Sequence, residues 1–169
     1  MVENFLIDSN SFITPFRQYY AFDLAPSYWD QLSRAASTGR IILLDMVKAE
    51  LEQGGDELAD WVKKTNFQVC KHAAQDIIIK YAQIMQYVKD CGLYKPSAFQ
   101  AWAPANIADP WIIAASCVKD YTIITAEVPS GGLKKNTPNK SAKIPDVAKQ
   151  FNARCNNIYY MMRQLGITM

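Results

Sequence analysis

The chain has 169 residues, half of them hydrophobic and 20% charged, which excludes a disordered chain and points to one domain, residues 1–169, with a sizeable core. The single histidine, His72, excludes a multi-histidine zinc site or a histidine acid–base pair within one chain, and the four cysteines form no C-x-x-C, so reduced thiols fit better than a zinc cluster or a disulfide framework. The net charge of +2 conceals a split: residues 1–127 hold 11 Lys/Arg and 15 Asp/Glu, a net of −4, whereas residues 128–169 hold 7 Lys/Arg and only Asp146, a net of +6.

Phe5-Leu6-Ile7 reads as a short buried strand ending in a turn at Asp8-Ser9-Asn10. Pro26-Ser27 opens a helix, with Ser27 and Asp30 spaced as a capping box, Tyr28, Trp29, Leu32, Ala35 and Ala36 on one face, and Gly39 as terminator. Ile41 to Leu44 is a second buried strand. Asp45 caps the next helix, which carries Val47 and Leu51 and stops at Gly54-Gly55. A short helix over 56–64 precedes a weakly alternating edge strand at Phe67 to Cys70. His72 follows in Lys71-His72-Ala73-Ala74, with no nucleophile motif around it, and reads as a surface or helix-start residue.

A long helix repeats Ala74, Ile77, Ile78, Tyr81, Ile84, Met85 and Val88 before ending at Cys91-Gly92. Residues 93–107, with Pro96 and Pro104, read as a loop. Asp109-Pro110 starts a mostly apolar and therefore buried helix, with Asp109 as its expected cap. Tyr121 to Thr125 is a strand, 129–142 a loop, 144–151 a short helix with Pro145 in its first turn, and Ala153 to Cys155 a last strand. Asn157 caps a final helix bearing Ile158, Met161, Met162 and Leu165, with Gly166 beyond its end. No apolar run approaches ~18–20 residues, so no membrane span and no membrane partner are expected. The start Met1-Val2-Glu3-Asn4 lacks a basic n-region, so a cytoplasmic location is expected.

Short apolar strands alternating with helices predict an α/β fold with a mostly parallel sheet. Ligands in such folds sit beyond the carboxyl ends of the strands. Four acids fall there: Asp8 after the first strand, Glu50 in the helix after the second, Asp109 at the start of the helix leading into the fourth, and Glu127 after that strand. Carboxylates crowded together repel one another unless a cation neutralises them, and hard oxygen donors suit Mg²⁺ or Mn²⁺. Such an ion can orient a water and offset charge on an attacked phosphoryl group, so phosphodiester hydrolysis needs no histidine. Each acid also has an ordinary structural use: Asp8 in a turn, Asp109 as a helix cap, Glu50 on a solvated helix face, Glu127 in a loop.

The segments Phe5-Leu6-Ile7-Asp8-Ser9-Asn10, Val47-Lys48-Ala49-Glu50-Leu51, Ala108-Asp109-Pro110-Trp111-Ile112-Ile113-Ala114 and Ile123-Ile124-Thr125-Ala126-Glu127 resemble, in order and approximate spacing, the four acidic motifs of the PIN-domain superfamily. The aromatic segment 19–26 and Lys143-Ile144-Pro145-Asp146-Val147 resemble a PIN-like branch first classed as of unknown function (DUF4411-like). The resemblance spans essentially the whole chain. It implies a three-layer α/β/α fold around about five short, mostly parallel strands, and a metal-dependent ribonuclease, often the toxin of a toxin–antitoxin pair. It gives catalytic and metal-ligand roles to Asp8, Glu50, Asp109 and Glu127, the last in direct contact or through water, since Glu stands where many relatives have Asp. Ser9, Asn10 and Thr125 become candidates for orienting ligands or water.

The mechanism implied is attack of an activated water on an RNA phosphodiester without a covalent enzyme intermediate. An acidic pocket repels RNA, so Lys134, Lys135, Lys140 and Lys143 are candidates for holding backbone phosphates. An RNA substrate, an antitoxin protein and a second copy of the chain are the expected partners. Tyr19, Tyr20, Phe22, Tyr28 and Trp29 offer aromatic surface for a protein partner or, more simply, core packing. Two other readings remain at this level. One is a PIN-like binding module without catalysis. The other is a haloacid-dehalogenase-like phosphatase, disfavoured because that chemistry needs a second Asp where Asn10 stands.

Overall fold

A computed structural model describes residues 1–169. Its strands are β1 (Phe5–Ile7), β2 (Ile41–Leu44), β3 (Gln68–Cys70), β4 (Thr122–Ile124) and β5 (Cys155–Asn156). They form one sheet in the order β3-β2-β1-β4-β5, with every neighbouring pair parallel. Parallel neighbours require long crossovers, here supplied by helices. Every residue of β1, β2 and β4 is buried, so helices cover both faces and the architecture is three-layer α/β/α. Only β3, at one edge, carries exposed residues among the longer strands, and they are the consecutive Gln68 and Val69, so its burial does not follow the alternation expected from its sequence, whereas the central strands are apolar throughout.

The helices are α1 (Asn10–Thr14), which continues into a π-helical turn (Pro15–Tyr19), α2 (Pro26–Ser37), α3 (Asp45–Glu52), α4 (Glu57–Lys64), α5 (Gln75–Asp90), α6 (Pro96–Trp102), α7 (Asp109–Lys119), α8 (Ile144–Gln150) and α9 (Ile158–Leu165). Several expectations need correction. Asn10 opens α1 rather than closing a turn. Residues 93–107 contain α6, whose Pro96 sits in its first turn, where a missing N–H costs nothing. No side chain caps α2: Ser27 Oγ instead accepts from the Gln31 side chain, 3.0 Å away. In α5, Ile78 points to solvent. Asn157 does cap α9, its side chain accepting from the Tyr160 N–H at 3.0 Å, and Gly166 ends it at φ +66, a left-handed conformation that glycine adopts without strain. All four cysteines are free thiols, Cys70 buried and the others half-buried.

The aromatic segment packs inward. Phe22 stacks on Trp29 at 4.5 Å, Trp29 meets Trp61 edge-on at 4.9 Å, and Phe12 and Phe67 close the cluster around Trp61 at 5.6 and 5.5 Å. Tyr28 and Trp29 are core residues, whereas Tyr19 is exposed. The Tyr28 hydroxyl is buried without a hydrogen-bond partner. An orphaned hydroxyl costs free energy, so Tyr28→Phe is expected to raise stability by about 1 kcal/mol. The urea midpoint at unchanged slope measures this; a lower midpoint would mean that the hydroxyl is bonded in solution.

The strand order also determines where a ligand site can form. The chain steps outward from β1 through β2 to β3, then returns to the other side of β1 for β4 and β5. The direction of winding reverses between β1 and β4, and in an open α/β sheet the crevice beyond the strand ends at that reversal is where ligands bind.

Candidate metal-binding active site

Asp8 is the first residue after β1, and its N–H donates to the Ile124 carbonyl of β4 at 2.9 Å, which fixes it at the reversal point. Its carboxylate is buried and accepts from Thr125 Oγ1 at 3.0 Å. The same hydroxyl oxygen accepts from the Glu127 N–H at 3.1 Å, so Thr125 couples Asp8 to the backbone after β4. Glu50 lies on α3, whose Val47 and Leu51 are buried, and is itself exposed. Asp109 begins α7 but does not cap it, since no side chain takes that role. Its carboxylate is therefore not spent on the helix end and instead faces the Trp102 indole.

Asp8, Glu50 and Asp109 line one cleft of about 720 Å³, together with Ser9, Asn10 and His72. Glu127 lies beside it. It lines a smaller cleft of about 390 Å³ with Thr125, Pro145 and Asn156, and its Oε2 accepts from the Ile144 N–H at 2.6 Å, tying down the start of α8. The four acids are thus grouped as three plus a neighbour whose carboxylate already holds a helix end.

Electrostatics link all four. Burial pushes the Asp109 carboxyl up to about 7, and the charges of Asp8, Glu127 and Glu50 push in the same direction; the Trp102 indole opposes them. Burial also raises Asp8 above the ordinary carboxylate range, with Glu50 adding to it, against hydrogen bonds from Thr125 and Ser9. Glu127 is raised by burial against the Ile144 N–H and the charge of Lys143. The chain's ion pairs, Lys48–Glu52, His72–Asp45, Lys119–Asp76 and Arg154–Asp120, involve none of these acids. An uncompensated all-oxygen carboxylate set fits a hard divalent cation on chemical grounds. No three His, Cys, Asp or Glu side chains already converge closely enough to hold one. The fit therefore rests on donor chemistry and mutual repulsion.

Lys134, Lys135 and Lys140 are exposed on the long loop, and Lys143 is half-buried. That loop is tied to the segment between α5 and α6, where the Lys95 N–H donates to the Asn139 carbonyl at 2.7 Å and the Asn139 N–H to the Leu93 carbonyl at 2.9 Å. None of the four lysines lines the cleft. Lys143 is the one whose charge is felt at Glu127.

Two residues of the site were not identified from sequence. Trp102, on the helix concealed by its prolines, is buried against Asp109. His72 is not a plain surface residue: it lines the acidic cleft, its Nδ1 lies 2.8 Å from Asp45 Oδ1, and its ring meets Trp111 edge-on at 5.0 Å. The strand-end rule that singles out Asp8 would have found it, since it stands two residues beyond β3.

A family model described as "Domain of unknown function (DUF4411)" matches residues 5–169. Among solved structures, the chain is similar to one in the crystal structure of VapBC2 from Rickettsia felis bound to a DNA fragment from their promoter, with 14% identity and a TM-score of 0.52, over 90% of this chain and 97% of that one. It is also similar to a chain of DNA-bound VapBC from Salmonella typhimurium, with 13% identity and a TM-score of 0.50, over 92% of this chain and 98% of that one. These likenesses establish a shared PIN-like fold. No curated protein matches.

Proposed function

We propose that this chain, which belongs to the DUF4411 family of domains of unknown function, is a divalent-metal-dependent endoribonuclease that hydrolyses RNA phosphodiesters, and the toxin of a toxin–antitoxin pair. The observation that carries the reading is the set of uncompensated carboxylates at the sheet's reversal point: Asp8, Glu50 and Asp109 on one cleft, with Glu127 beside them. Asp8, Glu50 and Asp109 would hold Mg²⁺ or Mn²⁺, with Glu127 adding negative charge at the rim. When bound, the cation supplies Lewis acidity to the attacked phosphodiester and lowers the pKa of water.

The chain's own residues do the rest. Thr125 holds Asp8 in one orientation through the 3.0 Å hydrogen bond. Asp109, raised to about 7 by burial and its neighbours, loses its proton near neutral pH, so the pocket gains full negative charge only there. Ser9 and Asn10 line the same cleft and offer polar groups to water or ligand. Glu127 anchors the start of α8 and so keeps Lys143 at the rim. We assign the whole chain to a single PIN-like domain acting in the cytoplasm, with an antitoxin protein and a second copy as partners implied by the motif resemblance.

The test is cleavage of a mixed RNA pool by the purified chain. Internal cuts are expected with Mn²⁺ and none after chelation by EDTA. Stable Mn²⁺ binding without any cutting would favour a non-catalytic binding module. A second expectation concerns the lysines. If Lys134, Lys135 and Lys140 hold backbone phosphates, their joint replacement by Ala lowers the slope of log affinity against log salt by about 0.7 per lost contact on single-stranded RNA. Fluorescence anisotropy across a salt series measures the slope; an unchanged slope would remove these lysines from the RNA surface.

A further inference from the structure

His72 lines the acidic cleft and has no part in the metal chemistry above. Asp45 opens α3 and His72 follows β3, and the sheet brings them together from positions 27 residues apart. Asp45 Oδ1 accepts from the His72 N–H at 3.2 Å and from the Met46 N–H at 2.9 Å, and lies 2.8 Å from His72 Nδ1. A carboxylate oxygen held by two N–H donors acts as an acceptor, so Nδ1 carries the ring proton in the neutral imidazole. That leaves Nε2 as a hydrogen-bond acceptor. Trp111, two residues from Asp109, packs against the ring and helps fix its plane, and the His72 side chain keeps 32% exposure on the wall shared with Asp8, Glu50 and Asp109.

We propose that the Asp45–His72 pair is a specificity element that accepts a hydrogen bond from a ribose 2′-hydroxyl of the bound strand, and so favours RNA over DNA. This rests on the nuclease reading above. A nucleic-acid backbone presents phosphate oxygens and sugar ether oxygens, all of them acceptors. Its one donor near a phosphate seated at the cation that the acids would hold is the 2′-hydroxyl, which DNA lacks. An acceptor fixed in the cleft wall matches that donor and repels nothing in a deoxyribose. A site whose acceptor loses its donor discriminates by the missing bond. His72 is a positioning residue here. It takes no proton in the reaction, and Asp45 acts only through it.

The experiment compares fluorescent single strands of one mixed sequence, made as RNA and as DNA, by anisotropy, with Ca²⁺ in place of Mn²⁺ so that strands stay intact. Wild type is expected to bind RNA about tenfold tighter than DNA, the effect of one well-formed hydrogen bond. His72→Ala should bring the two affinities together by weakening RNA alone. His72→Gln, whose amide oxygen is an acceptor, should keep part of the preference, and Asp45→Asn should lose part of it. Equal weakening of RNA and DNA in His72→Ala overturns the proposal in favour of a phosphate contact. An unchanged preference together with weaker Mn²⁺ binding overturns it in favour of a metal ligand. Should wild type neither bind RNA nor cut it with Mn²⁺, the nuclease reading itself fails; cutting that persists without any preference sinks only the role of His72.

Discussion

Asp109→Asn is expected to lower Mn²⁺-dependent RNA cleavage by about 10³-fold or more while leaving the fold intact. The expectation follows from what Asp109 does and does not do. It heads α7 without capping it, so the amide removes no helix-end hydrogen bond. It is raised to about 7 by burial and by Asp8, Glu127 and Glu50, so in the apo protein its charge is a burden rather than a support. Asparagine keeps the shape and removes the charge. If cation binding is what these carboxylates share, activity falls steeply and stability does not. Circular dichroism and urea unfolding on the same preparation separate the two effects. Full cleavage by a well-folded variant would exclude Asp109 from the chemistry.

Apo stability should fall as pH rises from about 4 to about 8, and Mn²⁺ should reverse that fall. A carboxyl whose pKa is 3.8 in the unfolded chain and about 7 in the folded one binds more protons when folded throughout that window, so raising the pH favours unfolding. Asp8, also raised by burial, adds in the same direction. The loss should be on the order of 1–3 kcal/mol, less than full linkage would give because solvent reaches the partly buried Asp109. Mn²⁺ binds the deprotonated pocket, so it should raise the melting temperature clearly at pH 8 and hardly at pH 5. Asp109→Asn should flatten both dependences. Differential scanning fluorimetry across pH, with and without Mn²⁺, measures all of this. A stability that rises with pH in the apo wild type would contradict the assigned electrostatics.

The parts of the fold legible in sequence are those where one physical signal dominates. Phe5 to Ile7 and Ile41 to Leu44 are buried on both faces, so they are apolar throughout and stand out as strands of a covered parallel sheet. β3 is marked as an edge strand by the polar Gln68 within it, whereas the exposure of the apolar Val69 beside it is not legible from alternation. α6 is hidden because Pro96 opens it and Pro104 follows it, and proline marks both loops and first helical turns. Capping is harder to read, because Ser27 and Asp109 have the right chemistry at helix starts and neither side chain caps. For Asp109 the reason is its place one residue inside the helix, after Ala108, where its carboxylate faces Trp102 and the acidic cleft instead of the helix end.

The site follows the same pattern. Asp8 and Glu127 can be found because they trail strands. Asp8, Glu50 and Asp109 meet on one cleft because β1, α3 and α7 share the carboxyl edge of the sheet. What periodicity does not convey is pairing across the sheet: His72 with Asp45, Thr125 with Asp8, and Glu127 with the Ile144 N–H. Each partner is separated from the other by 17 to 117 residues, and only the strand order brings them together.

The central claim is that these carboxylates form a divalent cation site. Calorimetric titration of Mn²⁺ into wild type and Asp8→Asn at pH 8 tests it most directly. Saturable binding by wild type, at least about tenfold weaker in the variant, is the predicted result. Equal affinity in the two proteins, or no binding by wild type, would contradict it.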